Sequence, residues 1–287
     1  MSKKNKNMKV AFKSEEGRHK VIKYYESLVE GWNFLHEEFY VHTNYGKTFI
    51  IASGEKDLPP LILLHGSGMN SVMWIHEMEK YSKNYRVYAV DMPGEPGKSN
   101  ENKIPLQGDD FPIWLNEVFN ALSIEKANIV GLSLGGWLGT KFSMKYPQKV
   151  EKLVLLCPAG IGPQKKSFIF KSLFYMLLGD KGIDKLYYKI NGDKLIPQVM
   201  LTYQKLIAKH FNFRKEIIPM FSDGELRCLE MPLALFVGGK DIMIHSEISA
   251  KRLGSLVKHA NINFLPEEGH TLINQGDEIR EFLNKSI

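Results

Sequence analysis

Short, predominantly apolar runs separated by stretches of helical spacing limit what this chain can fold into; they lie at 61–64, 86–90, 128–130, 152–156, 233–237 and 262–265. A run with no polar alternation has no solvent face, so each reads as a buried strand covered on both sides. Between them, apolar residues recur every three or four positions, as in Trp114, Leu115, Val118, Phe119 and Leu122. Strands that alternate with helices join through right-handed crossovers into a mostly parallel sheet. Two further strands, 39–42 and 48–51, flank Asn44-Tyr45-Gly46-Lys47 and read as a hairpin, with His42 on a sheet face. The expected fold is therefore α/β, with a mostly parallel eight-stranded sheet. Sheets of this kind place their sites at the C-terminal strand ends. His65-Gly66, Asp91, Ser133, Asp241 and His270 all fall there.

Ser133 sits in Gly131-Leu132-Ser133-Leu134-Gly135-Gly136, after the strand at 128–130 and before a helical pattern that runs to Tyr146-Pro147. A strand-to-helix turn this sharp strains the serine backbone and crowds the positions two before and two after it. Gly131 and Gly135 are the residues that fit. The turn raises the hydroxyl above the sheet and aims the following N–H groups toward an oxyanion. A plain helix-packing site of small residues, which Gly139 would extend, is the competing reading.

A serine hydroxyl needs a general base, usually a histidine oriented by a carboxylate. His270 follows the last strand in Glu267-Glu268-Gly269-His270, ahead of Leu272, Ile273 and a C-terminal helix, and is the expected base; His65 and His245 are its rivals. Asp241, in the loop Gly238-Gly239-Lys240-Asp241 after the preceding strand, is the expected orienting acid, against Asp223, Glu267 and Glu268, the last two read as solvated. The oxyanion donors should be the backbone N–H of Leu134 and that of Ser67 in His65-Gly66-Ser67-Gly68. That glycine loop also reads as a simple turn, and it lacks the pattern of a phosphate cradle. The chemistry requires no metal and no organic cofactor.

The alternation stops between 158 and about 230, where Phe168, Phe170, Phe174, Tyr175, Leu177 and Leu178 lead a helical stretch that continues to Phe213. We read 159–230 as an inserted helical cap, 36–158 and 231–287 as the core, and 1–35 as a mobile polar tail followed by a helix over 14–32. The cap aromatics either line an apolar pocket over the serine or pack the cap onto the body. Gly160-Ile161-Gly162 is the expected cap hinge.

Net charge is +6, but the basic residues are scattered, which argues against nucleic acid. Lys3, Lys4, Lys6 and Lys9 precede no apolar signal core, and no run approaches the length of a membrane span. Cys157 and Cys228 form neither a disulfide framework nor a metal site by spacing, which fits a reducing cytoplasm.

Taken together, His65-Gly66, Gly131-x-Ser133-x-Gly135, Gly239-Lys240-Asp241 and Gly269-His270, in the order Ser, Asp, His, resemble the α/β-hydrolases over about 36–284. Ile51-Ala52-Ser53-Gly54 and Tyr88-Ala89-Val90-Asp91 narrow the resemblance to bacillus-type carboxylesterases of the naproxen-esterase kind. One departure stands out: the loop Asp91-Met92-Pro93-Gly94-Glu95-Pro96-Gly97-Lys98-Ser99 is one residue longer than in many relatives. The resemblance implies a serine carboxylesterase that cleaves small to medium apolar esters through an acyl-enzyme on Ser133. Amide, thioester or carbon–carbon hydrolysis with the same triad, or a noncatalytic ligand receptor, are the alternatives.

Overall fold

The computed structural model describes residues 11–272 and 275–285. The basic tail at 1–10 and Ile273 lie outside them. The strands are β1 (Glu37–Thr43), β2 (Gly46–Ser53), β3 (Pro60–Leu64), β4 (Arg86–Val90), β5 (Ala127–Leu132), β6 (Val150–Leu156), β7 (Leu233–Gly238) and β8 (Asn261–Leu265). They form one eight-stranded sheet in the order β1-β2-β4-β3-β5-β6-β7-β8. The β1–β2 and β2–β4 pairs are antiparallel, and every other pair is parallel.

Helices cover both faces: α1 (Glu15–Glu30), α2 (Ile75–Tyr81), α3 (Asp110–Ala121), α4 (Leu134–Lys145), α5 (Ser167–Leu177), α6 (Gly179–Ile190), α7 (Gln198–His210), α8 (Asp223–Arg227), α9 (Ser246–Leu256) and α10 (Gly276–Asn284). Successive strand residues feed opposite cores. Ile62, Leu64, Leu153, Leu155, Leu233 and Leu235 pack with Trp114 and Phe119 of α3, Trp137 and Phe142 of α4, and Leu253 of α9. Leu61, Leu63, Val154, Leu156 and Phe236 pack with Tyr25 of α1, Met78 of α2, Ile207 of α7 and Ile279 of α10. This two-sided burial is the physical reason the strand segments read as predominantly apolar runs.

Local differences from the sequence reading have local causes. The hairpin is tighter than Asn44–Lys47 suggests, because Thr43 already pairs with Gly46. The helical segment between β3 and β4 starts with a 3₁₀ turn at Ser71–Trp74, whose N-cap, Asn70, accepts from the Val72 N–H. Strand β8 is half-exposed rather than buried, because it is the sheet's edge and pairs on one side only. Ser14 caps α1 as a helix start should, accepting from Gly17 N at 3.0 Å.

Helices α5–α8 stand between β6 and β7, and no strand of the sheet interrupts them among the described residues. The helical run expected to reach Phe213 stops earlier. Phe211 is extended and bridges Phe12, and Phe213 lies beyond it against Gly68. The glycine pair expected as a hinge is clamped. Gly160 O accepts from Phe221 N at 2.9 Å, Ile161 O accepts from Arg252 Nη1 at 2.6 Å, and a side chain at Gly162 would strike Ser249.

Candidate active site

The turn from β5 into α4 holds Ser133 at φ 52° and ψ −108°, a left-handed conformation that a non-glycine residue adopts only when its surroundings impose it. Those surroundings are visible. Ser133 N donates to Leu156 O at 2.9 Å, and Ser133 O accepts from Trp137 N at 2.9 Å and Ala159 N at 3.1 Å. A Cβ on Gly131 would run into Gly135 O, and one on Gly135 into Leu64 O. Close backbone approach is thus the reason both flanks lack a side chain. Ser133 itself stays half-buried at the N-terminus of α4, where the leading N–H groups have no intrahelical acceptor.

In the loops after β7 and β8, on the same side of the sheet as the end of β5, Asp241 and His270 meet. His270 Nδ1 lies 2.6 Å from Asp241 Oδ2, while Asp241 Oδ1 accepts from the N–H groups of Met243 at 2.6 Å and Ile244 at 3.0 Å. Both residues are buried. Burial by itself would raise the Asp241 pKa, but attraction to His270 and the hydrogen bonds from His270, Met243 and Ile244 outweigh it, so the carboxyl sits below its ordinary value. The loops that carry the pair are laced together, with Gly239 N on Leu265 O and Lys240 N on Glu268 O, each at 2.8 Å. His270 N donates to Ile190 O at 2.7 Å, which ties the histidine loop to α6. The remaining ring nitrogen, Nε2, is buried and has no partner. A buried polar atom without a partner is costly, so this one is available for a proton that arrives with chemistry.

The rival residues are occupied elsewhere. His65 Nδ1 lies 2.8 Å from Gly66 O and its Nε2 accepts from Met92 N at 2.9 Å; burial lowers its pKa, so it is a neutral brace for the loop. His245 is exposed at the start of α9. Asp223 pairs with Arg252 at 2.7 Å, and Glu267 pairs with Lys240 at 2.6 Å at the surface. Glu268 departs from its expected solvation: it is buried and pairs with Lys194. Asp91 is a structural hub. It is fully buried and accepts from Ser71 N and Lys98 N, both at 2.8 Å.

One group of metal-capable side chains occurs among the described residues: Cys157, Asp241 and His270, whose donor atoms lie within 4.8 Å of one another. The Asp241 oxygens and His270 Nδ1 already serve the hydrogen bonds above. Burial pushes the Cys157 thiol well above its usual value, which keeps it a neutral and poor ligand.

Residues 59–180 match the family described as the α/β hydrolase fold. Over 271 residues the chain is 31% identical to carboxylesterase YbfK of Bacillus subtilis, covering 92% of this chain and 90% of that protein. The chain belongs to the α/β-hydrolase family. Solved structures agree: a putative hydrolase from Bacillus subtilis superposes with a TM-score of 0.86 at 27% identity, covering 94% of this hydrolase and all of that chain. The naproxen esterase (carboxylesterase NP) of the same organism gives 0.84 at 27%, covering 95% of this chain and 100% of the other.

The loop after β4 gives this hydrolase a feature that sequence reasoning missed. Glu95, its side chain fully buried, accepts from Gly68 N at 2.7 Å and from Ser67 Oγ at 3.4 Å, and so holds the loop that follows β3. Its other oxygen pairs with Arg214 Nε at 2.7 Å, and Arg214 Nη1 donates to Ile104 O at 2.8 Å. The Gly66 side of that loop faces the elbow: a Cβ there would lie 3.7 Å from Ser133 Cβ. Among the described residues the Ser67 N–H has no partner. Glu95 and Arg214 are 119 positions apart, and no local spacing links them.

Proposed function

We propose that this hydrolase is a serine carboxylesterase acting on small to medium, largely apolar esters, with Ser133 as nucleophile, His270 as general base and Asp241 as the acid that orients it. The observation that carries this reading is the buried His270–Asp241 pair, whose Nε2 has no partner, in loops on the same side of the parallel sheet as a strained serine. The similarity to Bacillus carboxylesterases supports it.

Asp241, kept ionised by its hydrogen bonds, holds the tautomer with the proton on Nδ1, which leaves Nε2 free to accept. His270 takes the Ser133 proton as Oγ attacks the ester carbonyl. The tetrahedral oxyanion is met by the N–H groups of Leu134 and Ser67, each worth on the order of 10²-fold in rate. Glu95 and Arg214 act as positioning residues by fixing Ser67-Gly68. The alcohol leaves with the proton from His270, and water, activated by the same ring, releases the acid from the acyl-enzyme.

Residues 159–230 serve as the cap over this site, rooted in the main core through Phe221, Leu226 and Leu229. The core is 36–158 with 231–287, and the tail and first helix are 1–35. Two free cysteines, one of them buried, suit a reducing cytoplasm. None of the helices among the described residues is long and apolar enough to cross a membrane.

The test is hydrolysis of p-nitrophenyl acetate, butyrate and octanoate by the wild type and Ser133→Ala, with fluorophosphonate labelling mapped by mass spectrometry. Turnover and labelling at Ser133, both lost in the variant, are expected. Folded protein that neither turns over nor labels would overturn the reading in favour of a ligand receptor.

A further inference from the structure

Helix α5 is inside out. Its sequence, Ser167-Phe168-Ile169-Phe170-Lys171-Ser172-Leu173-Phe174-Tyr175-Met176-Leu177, is among the most apolar helical stretches in the chain, yet none of these residues is buried. The least exposed positions, Phe168, Ser172 and Tyr175, share the inner face at helical spacing, so a serine points inward. The outer face carries Ile169, Phe170, Leu173, Phe174 and Leu177, with Phe170 73% and Leu177 86% exposed. The helix is held by α6, where Gly182 allows close approach to the Tyr175 carbonyl. Water-facing apolar area of this kind, gathered on one element, marks a surface that meets a partner.

Charge identifies the partner. Residues 164–194 hold seven lysines against three aspartates. Among the described residues Lys166, Lys171, Lys181 and Lys185 have no carboxylate partner, and all four are exposed. An apolar strip with unpaired lysines at Lys166 and Lys171 and on the adjoining α6 at Lys181 and Lys185 is the pattern that seats in the interface of a bilayer containing anionic lipid, with side chains among the acyl chains and ammonium groups at the phosphates. A second copy of this chain would bring the same lysines against one another, which like-charge repulsion opposes. The face also borders a cleft of about 610 Å³ lined by Phe170, Phe174, Tyr175, Lys240 and Ile242, the last two flanking Asp241.

We propose that the outer face of α5 docks this protein peripherally on anionic phospholipid membranes. This does not depend on the esterase reading, because its test is binding. Vesicles of phosphatidylcholine alone, and of phosphatidylcholine with phosphatidylglycerol in equal parts, are sedimented with the full-length protein. At low salt, binding to the anionic vesicles at least about tenfold above the neutral ones is expected, falling as salt screens the lysines. Ile169→Ser/Leu173→Ser/Leu177→Ser and, separately, Lys166→Glu/Lys171→Glu/Lys181→Glu/Lys185→Glu should each abolish it. The serine variant should keep the wild-type melting temperature and its p-nitrophenyl acetate hydrolysis, since its three residues are exposed and line neither cleft nor triad. Three outcomes overturn the proposal: no binding to anionic vesicles, equal binding to neutral ones, or a wild-type dimer in light scattering that the serine variant turns into monomer, which would make the face a contact between copies.

Discussion

The loops above the sheet and helix α5 use the same residue types to opposite ends. Around Asp241 both carboxylate oxygens are engaged, by His270, Met243 and Ile244, and the apolar residues beneath are shut away on both faces of the sheet. On α5 the apolar residues face outward, with lysines at their margins. The contrast teaches that apolar content alone does not specify burial. A strand of the sheet is buried because helices cover both its faces, whereas α5 leans on α6 and leaves most of its circumference uncovered.

Substitutions at the two regions should therefore differ by orders of magnitude. The largest effect belongs to Ser133→Ala, which should lower kcat on p-nitrophenyl butyrate by on the order of 10⁶-fold with little change in melting temperature. Asp241→Asn should cost on the order of 10⁴-fold in kcat, because the tautomer of His270 is no longer enforced. A loss below about tenfold in steady-state assays would show that Asp241 does not orient the base.

Next comes the buried pair that holds the Ser67-Gly68 loop. Arg214→Met leaves Glu95 buried without its counter-charge and should destabilise the fold by about 3 kcal/mol in urea titrations. Glu95→Gln/Arg214→Met, which removes both charges, should recover part of that stability yet keep a lowered kcat, because Gly68 loses its carboxylate acceptor. Full recovery of kcat in the double variant would refute the positioning role.

Acid should expose the same difference. The Asp241 pKa is lower folded than unfolded, so its contribution to stability is complete above the unfolded carboxylate value of about 3.9 and disappears as pH falls through the lower folded value. Chemical denaturation below about pH 4 should show a shallower pH dependence for Asp241→Asn than for the wild type. The smallest effect is expected on α5: Ile169→Ser, Leu173→Ser and Leu177→Ser should each change stability by no more than about 0.5 kcal/mol. A cost near 2 kcal/mol for any of them would mean that α5 is covered in solution.

Much of this architecture is legible in the chain. Two-sided burial leaves a one-dimensional signature, so the inner parallel strands are visible as predominantly apolar runs. The elbow is visible because its geometry forbids a Cβ at two fixed offsets from Ser133, a constraint carried by neighbouring residues. Asp241 and His270 can be placed because both follow strands of one parallel sheet, and such strands end on the same side. Glu268 is misjudged as solvated because a carboxylate beside a turn looks exposed until Lys194 is seen to cover it.

By itself, then, the sequence determined which segments become strands, which strand-to-helix turn carries Ser133 and which loops after later strands carry Asp241 and His270, because each is set by residues close along the chain. Tertiary structure alone decided that Glu95 meets Arg214 under the loop after β3, that β8 is a half-exposed edge and that the apolar face of α5 looks outward. Those outcomes depend on which distant surfaces come to lie against one another, and local periodicity holds no record of that.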